Sequence, residues 1–173
     1  SALLSGVSSY TSLDIFKYKD YSINLKLLDE LIIMFQNKEP IPDLEEFPNV
    51  KPILNDYSFP NDIITDDILK DSLSPIKLKE IRREIENIIE GNQHSNEMLK
   101  ILIRDTSNKI DNSVLNADLI LSQAVLEHVE NLEVLFEENF KVLKPGGLAS
   151  HTIDFKSHGT HKLWDGHWTY GGS

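Results

Sequence analysis

Residues 117–147 of this chain read ADLILSQAVLEHVENLEVLFEENFKVLKPGG, and this stretch decides the predicted fold. Residues 117–121 form a short, mainly apolar run, typical of a strand in a parallel sheet, and polar Ser122 and Gln123 follow it. Ligands of parallel α/β sheets bind where the strands release the chain into a crevice. The sequence therefore predicts that Ser122 and Gln123 line a binding crevice.

A helix and a second strand follow in the same stretch. Through residues 131–144, apolar side chains recur at helical spacing and acids occupy the opposite face. The turn Pro145-Gly146-Gly147 ends this helix, and a second apolar run covers residues 148–155. This order of strand, helix and strand predicts an α/β fold with a parallel sheet.

Two motifs in this stretch resemble those of a known family. The sequence LEHV at residues 126–129 follows the predicted strand, and LKPGG at residues 143–147 covers the end of the predicted helix and the turn after it. In this order they resemble the fourth-strand loop and the fifth-strand turn of class I S-adenosylmethionine-dependent methyltransferases. The resemblance implies a Rossmann-like three-layer methyltransferase sheet, S-adenosylmethionine as the cofactor, and methyl transfer as the activity.

The glycine-rich cofactor loop of that family has no counterpart in the chain. Such a loop lets the backbone approach the cofactor at a helix N-terminus, but Gly6 is the only glycine before Gly91. Residues 1–7 look like the helix that follows the loop, so the resemblance places the loop before Ser1. We therefore expect an incomplete sheet and a fragment, rather than a complete four-stranded protein or half of a split enzyme.

The region between the second and third strands of the family pattern is long. These strands are predicted at residues 10–14 and 98–103, and the intervening stretch of about 80 residues is too long for a structureless loop. Helical spacing predicts helices at residues 22–38 and 75–90, in a helical insertion that is either decorative or a substrate-shaping lid. One partial methyltransferase domain, residues 1–173, thus has three predicted parts: the insertion at about 16–96, the motif-bearing core at 97–155 and the substrate-side segment at 156–173.

Two acids are candidates for cofactor binding. Asp14 ends the predicted second strand, where a carboxylate can accept two hydrogen bonds from ribose hydroxyls. Asp105 lies just beyond the predicted third strand, where the family often has an acid near the adenine amino group. A carboxylate accepts well from such an amino group. The alternatives are an exposed turn residue for Asp14 and a local cap for Asp105.

His151, Asp154 and His158 are the predicted catalytic candidates. They follow the second apolar run, so they leave the sheet at the edge where the cofactor's methyl group would lie. A His or Asp there can take a proton from a nucleophilic oxygen or nitrogen. With His161 these residues also suggest a metal site, because imidazole and carboxylate are ordinary ligands. Their spacing matches no recognised ligand motif, so no metal is predicted.

Composition excludes several kinds of site and partner. The chain has no cysteine, which excludes disulfides and thiolate ligands, and no run reaches the ~18 apolar residues of a membrane span. A net charge of −11 argues against a nucleic-acid partner, since phosphate binding requires a basic surface. We expect a cytoplasmic enzyme that methylates a small-molecule acceptor. The alternatives are a non-catalytic methyltransferase-like partner domain and a His/Asp metal-dependent hydrolase.

Overall fold

The structure of this chain, a computed structural model, falls into two compact units. The first unit comprises Ser1–Glu45 and Ile53–Ser107, and the second comprises Glu46–Pro52 and Asn108–Ser173. The residues that the structure describes are 1–14, 21–42, 54–92, 98–103 and 116–155.

The first unit combines parallel strands with α-helices. Its elements in the described ranges are a 3₁₀ helix at Ala2–Ser5, β1 at Tyr10–Asp14, α1 at Ile23–Gln36, α2 at Asp66–Ser72, α3 at Pro75–Ile89 and β2 at Leu99–Ile103. β1 and β2 pair in parallel, from Tyr10 opposite Leu99 to Asp14 opposite Ile103. Their carboxyl ends therefore lie at one edge, and both strands fall where the sequence predicts strands.

The helix α3 begins at the start signal read from the sequence. The Ser74 hydroxyl accepts a hydrogen bond from the Lys77 backbone N–H at 3.2 Å. Pro75 occupies the first helical position. A backbone N–H at this position has no partner within the helix, so proline, which lacks the N–H, costs no hydrogen bond there. The helix ends at Ile89, in agreement with the predicted range of 75–90.

Apolar residues of α1, α3 and the N-terminal 3₁₀ helix build the interior of the first unit. The buried members of this cluster are Leu3, Leu4, Leu28, Ile81 and Ile85. Met98 and Leu99 pack against it, which ties β2 to the helices. Residues of the predicted insertion therefore contribute to the core of this unit.

The helix α2 has no counterpart among the predicted helices. Thr65 caps it by accepting a hydrogen bond from the Ile68 backbone N–H at 3.4 Å, and acids occupy its first turn. Leu69 of this helix packs with Phe59 in a second buried cluster. So short a helix has too few apolar residues to show a helical period, which explains why periodicity misses it.

The second unit contains two parallel strands and the helix between them. Its elements in the described range are β3 at Ala117–Gln123, a 3₁₀ helix at Leu126–His128, α4 at Leu132–Val142 and β4 at Leu143–Thr152. β3 and β4 pair in parallel, with Ser122 opposite His151. This is the predicted order of strand, helix and strand.

The strand β4 begins at Leu143, before the Pro-Gly-Gly turn, whereas the sequence predicts its start after that turn. Leu143 pairs with Ala117, and the ladder then resumes after an irregular stretch. Gly146 has a φ of 83°, in the left-handed region. A Cβ on Gly147 would lie only 2.9 Å from the Ala117 carbonyl oxygen. The two glycines thus let the turn run beside β3 instead of away from it.

The β3/β4 pair presents two different faces, because successive strand residues point to opposite sides. Phe136 of α4 contacts His151, so α4 lies against the face that carries this histidine. The other face carries Leu119, Leu121 and Leu148, which are 50%, 68% and 68% exposed. We call these three residues the exposed leucine face.

The elements place the chain in the α/β class, as the sequence predicts. Across the described residues the strands form two two-stranded parallel sheets, β1 with β2 and β3 with β4. The three-layer arrangement and the three parts of the domain stay predictions. Among the same residues, no helix has both the length and the apolar character needed to cross a membrane.

Candidate functional site

Ser122 and His151 meet near the carboxyl end of the β3/β4 pair. They lie directly opposite each other in the strand register, so their side chains leave the same face. The Ser122 Oγ is 2.8 Å from the His151 Nδ1, within hydrogen-bond distance, and both residues are half-buried. The structure thus brings together a predicted crevice residue and a predicted base.

The His151 ring is held from a second side by α4. Phe136 contacts it edge-on, with ring centroids 5.8 Å apart and ring planes at 81°. The other ring nitrogen, Nε2, is buried and has no hydrogen-bond partner among the described residues. An unpaired buried polar atom costs free energy. A ligand group that forms a hydrogen bond with Nε2 would therefore bind favourably, because it would give this buried atom a partner.

Gln123, the second predicted crevice residue, is placed differently. It ends β3, lies opposite Thr152 and is exposed. Because adjacent residues of a strand point to opposite faces, its side chain leaves the sheet on the side away from Ser122. The structure brings Ser122, but not Gln123, to the histidine ring.

The other two catalytic candidates follow β4. Asp154 is half-buried just beyond the end of the strand at Thr152, and it has an interaction partner of its own. His158 and His161 lie outside the described residues. Within the part of the chain that the structure describes, no group of three or more His, Asp or Glu residues is arranged to hold a metal ion.

Glu127 receives no role from the sequence, but the structure gives it an unusual environment. It lies in the 3₁₀ helix after β3, beside buried Leu126. Both of its carboxylate oxygens are buried and lack a hydrogen-bond partner among the described residues. A buried carboxylate needs a donor or a cation. The only sequence signal for this residue is its place in the LEHV motif, which says nothing about burial.

The predicted cofactor acids belong to the first unit. Asp14 is the last residue of β1, opposite Ile103 of β2, and its side chain is half-buried. It therefore has the strand-end position on which its predicted role depends. Asp105 lies outside the described residues.

Comparison with known proteins supports the resemblance carried by the motifs. A family model described as "Methyltransferase domain" matches residues 79–150, a range that runs from α3 into β4. The match confirms the resemblance to the class I S-adenosylmethionine-dependent methyltransferase family. No curated protein and no solved structure matches the chain significantly.

The matched range divides the candidate residues into two groups. Those inside it are Asp105, Ser122 and Gln123, and those outside it are Asp14, His151, Asp154 and His158. The first residue beyond the match is the histidine that contacts Ser122. The site is therefore built across the boundary of the family model.

Proposed function

We propose that this domain takes part in S-adenosylmethionine-dependent methyl transfer to a small-molecule acceptor. The observation that carries the proposal is the contact between Ser122 and His151, at the boundary of the methyltransferase match. It lies near the carboxyl end of two parallel strands, the edge at which sheets of this class bind their ligands.

The polar groups of the chain suit this cofactor. Asp14 offers a half-buried carboxylate for the ribose hydroxyls, and Asp105 is assigned to the adenine amino group. Glu127, buried without a partner among the described residues, suits a ligand with positive charge, and the cofactor carries a sulfonium and an ammonium group. Ser122 and Gln123 are assigned to the crevice. When bound, the cofactor supplies a methyl group for in-line transfer.

His151 is the favoured base. Methylation of an oxygen or nitrogen that bears hydrogen releases one proton, and a ring nitrogen held near the nucleophile can accept it. The contacts with Ser122 and Phe136 fix the orientation of the ring, which reduces the entropy lost on reaching the reactive geometry. Asp154 and His158 are the remaining candidates for this role.

Cofactor binding is tested by calorimetric titration of the product of the full open reading frame with S-adenosylmethionine. Asp14→Ala should weaken binding by about 1.5–3 kcal/mol, because charge-assisted hydrogen bonds to the ribose are lost. Asp62→Ala removes an exposed acid from a turn and should leave the affinity unchanged. Equal affinity of wild type and Asp14→Ala would show that Asp14 does not bind the ribose.

Turnover is tested on the same protein with methyl-labelled cofactor and a panel of small alcohols, phenols and amines. His151→Gln should lower kcat about 100-fold or more at saturating cofactor. His128→Gln, which alters an exposed histidine, is the matched control. Full activity of His151→Gln would assign proton removal to another group. Cofactor binding without transfer to any acceptor would favour the partner-domain alternative, and metal-dependent hydrolysis would favour the hydrolase alternative.

A further inference from the structure

The hydrogen bond between Ser122 and His151 can form in two ways. A serine hydroxyl donates or accepts, and a neutral imidazole carries its proton on either nitrogen. We propose that Ser122 is a positioning residue: its Oγ accepts a hydrogen bond from the Nδ1–H of neutral His151, which leaves the Nε2 lone pair free. The role of that lone pair as a base rests on the proposed function.

The contact is built on the two strands rather than on loops. Ser122 and His151 are register partners, 2.8 Å apart at Oγ and Nδ1. Backbone pairing continues beyond them, since the Ala124 N–H donates to the Thr152 carbonyl oxygen at 2.9 Å. Phe136 lies edge-on to the ring. These contacts hold the imidazole in one orientation, with Nδ1 towards the hydroxyl.

Burial of Nε2 decides between the two arrangements. If Ser122 donated to Nδ1, the ring proton would sit on Nε2, a buried N–H without an acceptor among the described residues. If Nδ1–H donates to Ser122, the buried group is a lone pair. Among backbone groups, a buried N–H without an acceptor is rarer than an under-satisfied carbonyl, and we apply the same preference to the imidazole ring. The second arrangement is therefore the stable one.

This tautomer is also the one that a base requires. The acceptor's O–H or N–H bond breaks as the Nε2–H bond forms, and the freed electron pair forms the bond to the methyl carbon. The bond between that carbon and the sulfonium sulfur breaks, its electron pair stays on sulfur, and the proton later leaves Nε2 for solvent. Throughout, Nδ1–H remains bound to Ser122, so the charged ring keeps its partner. The hydroxyl proton of Ser122 remains available to donate within the crevice.

The tautomer is measured on the whole protein labelled with ¹⁵N-histidine, by long-range ¹H–¹⁵N correlation at a pH where the ring is neutral. Loss of one signal set in His151→Gln assigns this residue among the six histidines. Wild type should show a protonated Nδ1 and an unprotonated Nε2. A protonated Nε2 in wild type would overturn the proposal.

Variants at the hydroxyl separate positioning from packing. Ser122→Ala should shift the proton towards Nε2, whereas Ser122→Thr, which keeps a hydroxyl, should restore the wild-type pattern. Ser150→Ala removes an exposed hydroxyl from the neighbouring position of β4 and should change nothing. An unchanged tautomer in Ser122→Ala would overturn the proposal.

Kinetics distinguish this inference from the proposed function. In Ser122→Ala, kcat should fall about tenfold, with a smaller change in the acceptor KM, since only the alignment of the base is impaired. Ser122→Thr should retain most of the wild-type kcat. Absence of turnover in wild type would contradict the proposed function, whereas a wild-type kcat in Ser122→Ala would contradict the positioning role.

Discussion

Ile81 lies at the centre of the first unit, 2% exposed, in a cluster with Leu4, Leu28 and Ile85. Ile81→Ala should lower the free energy of unfolding by about 2–5 kcal/mol, through lost apolar burial and a residual cavity. Ile76 on the same helix is 74% exposed, so Ile76→Ala should change that free energy by less than about 0.5 kcal/mol. Urea denaturation followed by circular dichroism measures both, and equal effects would contradict the packing described.

Asp56 accepts two hydrogen bonds from Ser58, one from the hydroxyl at 2.6 Å and one from the backbone N–H at 2.8 Å. These bonds, the side-chain bond first, hold the pKa of the Asp56 carboxyl below its ordinary value. Ser58→Ala should raise this pKa, as measured by the pH dependence of the carboxyl ¹³C shift. Ser58→Thr keeps the hydroxyl and should preserve the low pKa.

The lowered pKa of Asp56 determines how the stability of the fold depends on pH. Since the pKa of Asp56 is lower in the folded state, its bonds stabilise the fold above the unfolded-state pKa. The contribution is lost as the pH falls through the folded-state pKa. Identical carboxyl titrations of wild type and Ser58→Ala would show that the serine hydroxyl does not set the pKa.

The pairing of β4 with β3 depends on a glycine. A Cβ on Gly147 would lie 2.9 Å from the Ala117 carbonyl oxygen and 3.0 Å from that of Lys144. These are backbone atoms, so Gly147→Ala should lower the free energy of unfolding by about 1–3 kcal/mol through strain. Faster hydrogen exchange of β3 amides would report the weakened pairing.

Gly146→Asn is the matched control for that substitution. No atom lies within 4 Å of a Cβ placed on Gly146. Its φ of 83° is left-handed, a conformation that Asn adopts more readily than other side chains. If Gly146→Asn accelerates exchange in β3 as much as Gly147→Ala does, steric conflict with β3 is not the cause.

Local signals in the sequence predict most elements but not the exact path of the turn before β4. The helix α3 and the order from β3 to β4 follow from apolar spacing and capping residues, whereas β1 is located by the family resemblance. The Pro-Gly-Gly sequence marks the end of α4, but it does not reveal that Leu143 already pairs with Ala117. That pairing depends on backbone approach across the sheet, which Gly147 permits.

The candidate site is only partly predictable for the same reason. The sequence selects Ser122 and His151 separately, in different roles, but their contact depends on the register between β3 and β4. A shift of one residue would place Leu121 or Gln123 opposite His151. Burial of the Glu127 carboxylate likewise arises from packing around a 3₁₀ helix, which no local pattern encodes.

For the whole molecule, the matched range does not coincide with a structural unit. Residues 79–150 include Ile81 and Ile85 of α3, whose buried partners Leu4 and Leu28 lie outside the match. Separating the matched range from the rest would expose this interior. The first unit therefore needs residues on both sides of Lys79 to be stable.

The expected affinity of the whole chain for the cofactor depends on a glycine motif. The amino-acid sequence of residues 1–173 contains no Gly-x-Gly motif, which would let a backbone approach the cofactor at a helix N-terminus. We expect very weak or no binding of S-adenosylmethionine by residues 1–173. Calorimetric titration measures this affinity, and a micromolar value would contradict the expectation.

The exposed leucine face sits in a chain whose net charge is −11. Like-charged copies repel one another in dilute buffer, and salt shortens the range of this repulsion to about 8 Å at 0.15 M. Apolar contacts between copies are then less opposed, so light scattering should rise as sodium chloride is added. Replacing Leu121 and Leu148 by Thr should reduce that rise, and an unchanged rise would assign it to another surface. Low-salt buffers are therefore the conditions expected to keep this chain dispersed during purification.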